Sequence, residues 1–257
     1  MSARVLAIAN QKGGVGKTTT TLSLSAALAL QHKRVLVMDL DPHACASVHM
    51  RYYPEALSHS AYDIFQTGED DWAAMWEAIR YTREDMLFDF VPSSIRLSEL
   101  EVDLRERGNK GVILKRSLEL VADGYDFIVL DCPPHIGVLL VNALVASDLL
   151  IIPIQTDFLA LHGLRLLFDS VRMINRVVPR PISYRALATM YDRRASACRR
   201  VLELLQQKLG DKMFEAVIDM DTKFREASAQ GKVIYDIAPD CRGAREYAEL
   251  ANEILTL

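Results

Sequence analysis

Apolar residues run through this chain in short, β-branched blocks, separated by longer stretches with helical spacing. The blocks Val5–Ala9, Val35–Met38, Phe127–Leu130 and Leu149–Ile154 are apolar almost throughout. That is the pattern of strands covered on both faces. Further strands are expected near Leu87–Val91, Tyr184–Met190 and Phe214–Ile218, and helices over Thr18–Gln31, Lys110–Ala122, Leu161–Val177 and Ala195–Leu209. The alternation predicts an α/β fold with a doubly wound, mostly parallel sheet, helices on both faces, and ligands at the carboxyl ends of the strands. No repeat, low-complexity tract or long linker interrupts the sequence, so residues 1–257 are expected to form a single domain. The least regular stretch, Met50 to Asp85, holds Trp72 and Trp76. Their helical spacing suits core anchors better than a binding platform.

Composition narrows the class. Half of the 257 residues are hydrophobic, enough for a sizeable core, and a formal charge of -4 excludes a globally basic nucleic-acid coat while allowing a local basic face. Cys45, Cys132, Cys198 and Cys241 are scattered without metal-ligand spacing, as expected of reduced, mostly buried thiols in a cytoplasmic protein. The apolar start is too short for a signal segment and runs straight into a glycine loop, and no run approaches the ~20 apolar residues of a membrane span.

The chemistry is concentrated at strand ends. Lys12-Gly13-Gly14-Val15-Gly16-Lys17-Thr18-Thr19 follows the first strand and opens the first helix. In that setting glycines let successive N–H groups turn toward a phosphate, and the helix N-terminus adds partial positive charge. Lys17 is placed to reach the β- and γ-phosphates, and Thr18 to offer its hydroxyl to Mg²⁺. Gln11 stands where the usual G-x-x-x-x-G-K-[ST] pattern has its first glycine, and Lys12 is an additional lysine. The second strand ends Met38-Asp39-Leu40-Asp41-Pro42. Alternation puts both carboxylates on one side, where one can order a magnesium shell while the other orients the attacking water. A purely structural cap is the other reading of Asp41. Asp131, closing Phe127-Ile-Val-Leu-Asp131, has the form of a Walker B aspartate that emerges where Mg²⁺ would sit.

KGGVGKTT resembles the deviant Walker A motif of the ParA/MinD superfamily of ATPases. Similar correspondences run through Asp39-Leu40-Asp41-Pro42, Val141-Asn142-Ala143-Leu144, the stretch Leu149–Leu164, Thr189–Arg193, Phe224–Ser228 and Cys241-Arg242-Gly243-Ala244. They cover nearly the whole chain and are weakest from Met50 to Asp85. The resemblance implies ATP and Mg²⁺ as cofactors, with Lys12, Gly13, Gly14, Val15, Gly16, Lys17, Thr18 and Thr19 around the nucleotide and Thr18, Asp39 and Asp131 around the metal. It further implies a homodimer formed around ATP, in which Lys12 reaches the other subunit's nucleotide as an arginine finger does and Asp41 aligns the water. Two departures stand out. His162 replaces the family's glutamate, and Asp219-Met220-Asp221 replaces its Pro-x-Asn, which makes Asp219 and Asp221 the candidate base contacts.

The resemblance also bears on the task of the ATPase. Relatives of this kind are switches that position a cargo and are stimulated by an adaptor, here expected to be ParB-like or ParP-like. The chain ends in an acidic helix, Tyr247–Leu257, without the basic face of a membrane anchor. Arg193, Arg194, Arg199, Arg200, Lys223, Arg225, Arg242 and Arg245 are candidates for weak, salt-sensitive contact with non-specific DNA, the alternative track being a polar scaffold. A solvated face or dimer salt bridges would account for the same arginines. The location is expected to be cytoplasmic, either nucleoid-associated or polar. Asp41-Pro42-His43, Tyr62–Gln66 and Tyr191–Arg194 are similar to the ParC-type subgroup, which positions chemosensory arrays rather than chromosomes or plasmids. Two other readings compete. A DNA-binding regulator with incidental hydrolysis would carry a helix-turn-helix extension, and none precedes the first strand. A small-molecule ligase of the superfamily, such as a biotin-pathway or cobyrinate ligase, would need an added substrate pocket.

Overall fold

The apolar blocks meet side by side in one sheet. The computed structural model describes residues 3–104, 108–157, 168–169, 171–172, 175–176 and 180–257. Seven strands stand in the order β3-β2-β4-β1-β5-β6-β7: β1 (Arg4–Ile8), β2 (Val35–Asp39), β3 (Asp89–Val91), β4 (Phe127–Asp131), β5 (Leu149–Gln155), β6 (Tyr184–Tyr191) and β7 (Met213–Asp219). Every pairing between them is parallel, so the sheet is wholly rather than mostly parallel. The chain travels outward from β1 to β3, returns to fill the gap with β4, and then proceeds through β5 to β7 on the other side. β1 therefore sits at the switch point, and the loop that leaves it opens into the crevice where ligands bind in such sheets.

The continuous apolar blocks follow from this arrangement. Along β1, Val5 and Ala7 join one core layer while Leu6 and Ile8 join the other; Ile128 and Leu130 of β4 likewise face away from Phe127 and Val129. Both faces are covered, so Val5–Ile8 of β1, Val35–Met38 of β2 and Phe127–Leu130 of β4 hold no polar residue, and the carboxylates come only at the carboxyl end, where Asp39 and Asp131 stand in register on adjacent strands.

Several expectations shift in detail. β3 begins at Asp89 rather than Leu87, because Leu87 and Phe88 form a bend ahead of the ladder. The helix expected over Lys110–Ala122 shortens to Ile113–Leu118 between turns. The C-terminal helix starts at Arg242, five residues before the expected Tyr247, and buries Tyr247, Leu250 and Ile254. A helix over Val138–Ala146 was not foreseen: it is buried almost all round and carries no amphipathic stripe. Its Asn142 accepts from Leu114 N at 3.1 Å and donates to Lys110 O and Val138 O, tying it to the segment beside it. The expected helix Leu161–Val177, with His162, falls largely outside the described residues. Of the four free cysteines only Cys132 is buried, which corrects the expectation of mostly buried thiols; Cys45 is exposed because it opens a short helix at the mouth of a cavity. Among the described residues no helix is long and apolar enough to cross a membrane.

The irregular stretch is ordered by its tryptophans. Ser60 starts the helix Ala61–Gln66 with a capping box shared with Asp63, and a second helix spans Trp72–Ile79. Trp72 and Trp76 are core anchors, with their indole N–H groups donating to Ile64 O at 3.0 Å and Ser117 O at 2.9 Å. Trp76→Ala should cost about 3–5 kcal/mol, as expected for emptying a large aromatic site. Urea unfolding of the nucleotide-free chain measures this, and a loss below ~1 kcal/mol would show that the neighbouring helices close the gap.

Candidate nucleotide site

The loop after β1 is held from below before it turns. Asn10 donates to Pro153 O at 2.7 Å and accepts from Lys12 N at 3.0 Å, so β5 fixes the start of the loop. Gly14 and Gly16 then adopt φ of +72° and +88°, a region that only glycine enters without strain. Gly16 is the N-cap of the helix Lys17–Leu30 and offers no side-chain cap, which leaves first-turn N–H groups for a ligand. They open on a cavity of about 400 Å³ lined by Gly16, Thr18 and Thr19 at one end and by Met190, Ile218, Phe224 and Tyr247 at the other. Buried Val15 ties the loop to β6, its carbonyl accepting from Thr189 Oγ1 at 2.8 Å. Lys17 is buried. Lys12 turns its ammonium to Asp157 at 2.5 Å and Gln155 at 3.4 Å.

The three expected acidic residues gather beside this loop in different surroundings. Asp131, buried at the end of β4, accepts from Thr18 Oγ1 at 2.8 Å and Thr21 Oγ1 at 3.2 Å. Burial pushes its carboxyl up to about 7 against the pull of the Thr18 hydrogen bond, and the Asp41 charge adds to the rise. Asp39 is wholly buried, and burial followed by the charge of Asp131 holds its carboxyl well above the ordinary range. Its oxygens are engaged: Oδ1 accepts from Asp41 N, and Oδ2 from Ser47 N and Ser47 Oγ at 2.9 and 2.7 Å. Ser47 Oγ in turn accepts from Ser93 N, and Ser93 Oγ donates to Asp41 O. Asp41 lies beyond the strand in the loop so formed, where Oδ1 meets His43 N at 3.0 Å and His43 Nδ1 at 2.9 Å. Alternation thus places Asp39 and Asp41 at one edge but gives them unequal access, since only Asp41 retains an exposed part of its carboxylate.

Thr21, Ser47, Ser93, Asn10 and Asp157 were not among the expected site residues. Thr21 follows Thr18 at helical spacing and could have been found that way. Ser47 and Ser93 reach Asp39 through a loop and a neighbouring strand, which leaves no periodic trace.

At the far end of the cavity, Asp219 closes β7. Its carboxylate is buried and accepts from Arg193 Nε at 2.6 Å, with Arg242 at 3.0 Å, while its backbone N–H donates to Glu246 Oε2 at 2.8 Å. Asp219 Oδ1 and Glu246 Oε1 are buried without a hydrogen-bond partner, the arginines lying 3.6 and 3.8 Å from the latter. Asp221 accepts from Lys223 N at 2.9 Å and, at 3.4 Å, from Gly243 N. Met190, at φ +52°, is a non-glycine residue in the left-handed region on the cavity wall.

This geometry has close counterparts among known proteins. A family model described as an AAA domain matches residues 3–183. The chain is 38% identical to the sporulation initiation inhibitor protein Soj of Bacillus subtilis, with 98% of each covered. It is 36% identical to the chromosome-partitioning ATPase Soj of Treponema pallidum, covering 98% of this chain and 97% of that one. The chain belongs to the ParA/Soj-like ATPases of the ParA/MinD superfamily. Among solved structures, it is similar to cobyrinic acid a,c-diamide synthase from Mycobacterium smegmatis with bound ADP and magnesium, at 30% identity and a TM-score of 0.81, with 98% and 94% of the two chains covered.

The basic residues that the family resemblance singles out divide into groups. Arg193 and Arg242 hold the buried acids. Arg199 donates to Arg193 O, Arg245 to Asp240 O, and Lys223 to Glu226. Arg200 is exposed on the helix Ser196–Leu209, and Arg225 lines the cavity that also holds Thr18.

Glu246 makes this end of the site sensitive to pH. Burial, and then the Asp219 charge, push its carboxyl from 4.5 up to about 7, with the hydrogen bond from Asp219 N and the two arginines pulling part of the way back. The folded chain therefore holds this proton more tightly than the unfolded one. The resulting stability is fully present below about pH 4.5 and is lost as the pH rises through about 7. Glu246→Gln should flatten the fall in unfolding midpoint across that window in the nucleotide-free protein. An unaltered slope would assign the dependence to Asp131 and Asp39 instead.

Proposed function

We propose that this chain is a single-domain, ATP-dependent dimerising switch that hydrolyses ATP to position or segregate a cargo. The observation that carries the reading is the uncapped helix start at Gly16–Thr18 beside Asp131, with Asp41 presented on the adjoining loop. First-turn N–H groups and Lys17 suit the terminal phosphates, and the backbone of Gly13 to Thr19 wraps them. The hydroxyl of Thr18 and the carboxylate of Asp131 are hard oxygen donors that fit magnesium. Among the described residues no three His, Cys, Asp or Glu side chains form a metal cage, and an ion completed by water and phosphates needs none. When bound, magnesium neutralises charge that develops on the phosphate oxygens. In this division of labour Asp39 acts through Asp41 and Ser47 rather than as a direct ligand, because both its oxygens are engaged there. Asp41 orients the attacking water, and Lys12 acts on the nucleotide of a second copy. Asp219 and Asp221 edge the space for the base.

The cargo follows from weaker signs. The names of the Soj relatives describe chromosome partition and sporulation control; the segment Asp41-Pro42-His43 and its companions favour a chemosensory array. A ParB-like or ParP-like adaptor would stimulate hydrolysis, with either the nucleoid or a polar scaffold as the track. Arg200 and Arg225 are the arginines best placed for DNA, since Arg193 and Arg242 are committed to buried acids. The likeness to a protein named as an amide synthase favours a second reading, an ATP-dependent ligase. Such an enzyme would turn over only with a carboxylate acceptor and an amide donor.

The deciding measurement is the solution mass of Asp41→Ala with no nucleotide, ADP and ATP, followed by non-specific DNA at low and moderate salt. A dimer only with ATP supports the switch, and salt-sensitive DNA binding by that dimer adds the nucleoid as its track. Lys12→Ala should lose dimerisation and at least about a thousandfold in turnover. A monomer in every state, or normal turnover in Lys12→Ala, would remove the proposal.

A further inference from the structure

Asp41 can orient a water only if its carboxylate is held still, and a single residue supplies both donors that hold it. We propose that His43 is a positioning residue for ATP hydrolysis, whose ring fixes the plane of the Asp41 carboxylate and leaves one carboxylate oxygen to the attacking water. The proposal rests on the water-orienting role given to Asp41 above.

The backbone of the loop is fixed first. Residues 41–44 form a tight turn closed by Ala44 N on Asp41 O at 2.8 Å. Asp41 and Pro42 fill its first two positions, which favour aspartate and proline. Asp41 N donates to Asp39 at 3.0 Å, and Asp41 O also accepts from Ser93 Oγ at 2.5 Å. Ala44 leaves the turn at φ +54°, a left-handed conformation that a non-glycine residue keeps only where its surroundings impose it. What this framework leaves free is rotation of the carboxylate about its Cβ–Cγ bond, a torsion with broad preferences.

His43 restricts that rotation. Its backbone N–H and its Nδ1 lie 3.0 and 2.9 Å from the same oxygen, Oδ1. An ionised carboxylate only accepts, so Nδ1 carries the proton in this pair, in a neutral as in a charged ring. Two donors on one oxygen hold the carboxylate plane more firmly than the backbone N–H alone. Both bonds fall on Oδ1, and none among the described residues falls on Oδ2. Asp41 and His43 stand together on the wall of a cavity of about 420 Å³, so room for a water adjoins the pair. The ring is 69% exposed, and its bond to Asp41 therefore adds little to the stability of the fold. Its effect falls on geometry instead, where a misplacement of about 1 Å at a reacting centre can cost about a hundredfold in rate.

Steady-state hydrolysis by the full chain with ATP and magnesium tests this, with kcat and KM read separately. His43→Ala should lower kcat by about three- to tenfold, with KM and the ATP concentration for half-maximal dimerisation unchanged. His43→Asn, whose amide nitrogen stands where Nδ1 does, should regain at least half of the lost rate. A normal kcat in His43→Ala, a change in KM alone, or a His43→Asn variant as slow as His43→Ala would overturn the proposal. A double-variant cycle then asks whether His43 acts through Asp41. Adding His43→Ala to Asp41→Ala should not slow the remaining turnover, and a further loss by the same factor would also sink the idea. Wild-type turnover in Asp41→Ala alone would instead overturn the reading of Asp41 on which the proposal rests.

Discussion

Two carboxylates buried side by side, Asp39 and Asp131, set the terms for everything at the carboxyl edge of this sheet. They close adjacent strands in register and are almost wholly shielded from water. Burying like charges together is costly unless each finds hydrogen bonds or a cation. The surrounding polar groups answer that cost in a divided way. Thr18 and Thr21 bond Asp131, which fixes the first turns of the helix after the phosphate loop against β4. Ser47 and the Asp41 N–H bond Asp39, which fixes the loop after β2, and Ser93 carries the same network to β3. Three loops of separate origin are thereby locked to one pair of acids. A magnesium ion beside Asp131 would relieve the remaining repulsion, so the burial of these two acids favours the ligand that the family resemblance implies.

How much of this could be read from the chain depends on whether a contact leaves a periodic trace. The parallel sheet was legible because residues covered on both faces must be apolar without a break, as in Phe127–Leu130. The phosphate loop was legible because backbone conformation dictates glycine at Gly14 and Gly16. The helix Val138–Ala146 was not, since burial on every side erases the stripe that reveals an amphipathic helix. Ser47 and Ser93 were invisible for another reason: Ser47 meets Asp39 through the irregular loop after β2, and Ser93 is brought to Ser47 and Asp41 by strand order, neither of which leaves a periodic trace. The same holds for Arg193, whose partners Asp219 and Glu246 lie far along the chain, and for the pairing of Arg242 with Asp219; only Arg242 and Glu246, one helical turn apart, carry a local trace.

The Asp219 side of the cavity shows how one cluster constrains two surfaces. Asp219 and Glu246 are acids drawn into the protein where β7 meets the C-terminal helix, and the arginines that compensate them approach from the outside. Asp219 lines the cavity that also holds Thr18, and the Arg193 and Arg242 guanidinium groups lie partly exposed on the outside. Where the resemblance implies Pro-x-Asn, this chain has Asp219-Met220-Asp221, and Arg193 and Arg242 make the buried Asp219 tolerable.

The opposite sides of that cavity are not independent. The short helix Cys45–His49 follows the Asp41 loop, and His49 Nε2 lies 2.8 Å from Lys232 O, while Arg51 donates twice to Gln230 O. Lys232 and Gln230 flank Gly231, which ends the helix Lys223–Gln230, the element that supplies Phe224, Arg225 and Ser228 to the cavity. Gly231 adopts φ +68°, and a Cβ there would come within 2.2 Å of Arg51 Nε. The positive φ favours glycine there, and the seam between the Asp41 side and the helix Lys223–Gln230 is closed by the His49 and Arg51 side chains on backbone carbonyls. These contacts tie the Asp41 side of the cavity to the helix that carries Phe224 and Arg225 by a route outside the core, which is close-packed and yields little.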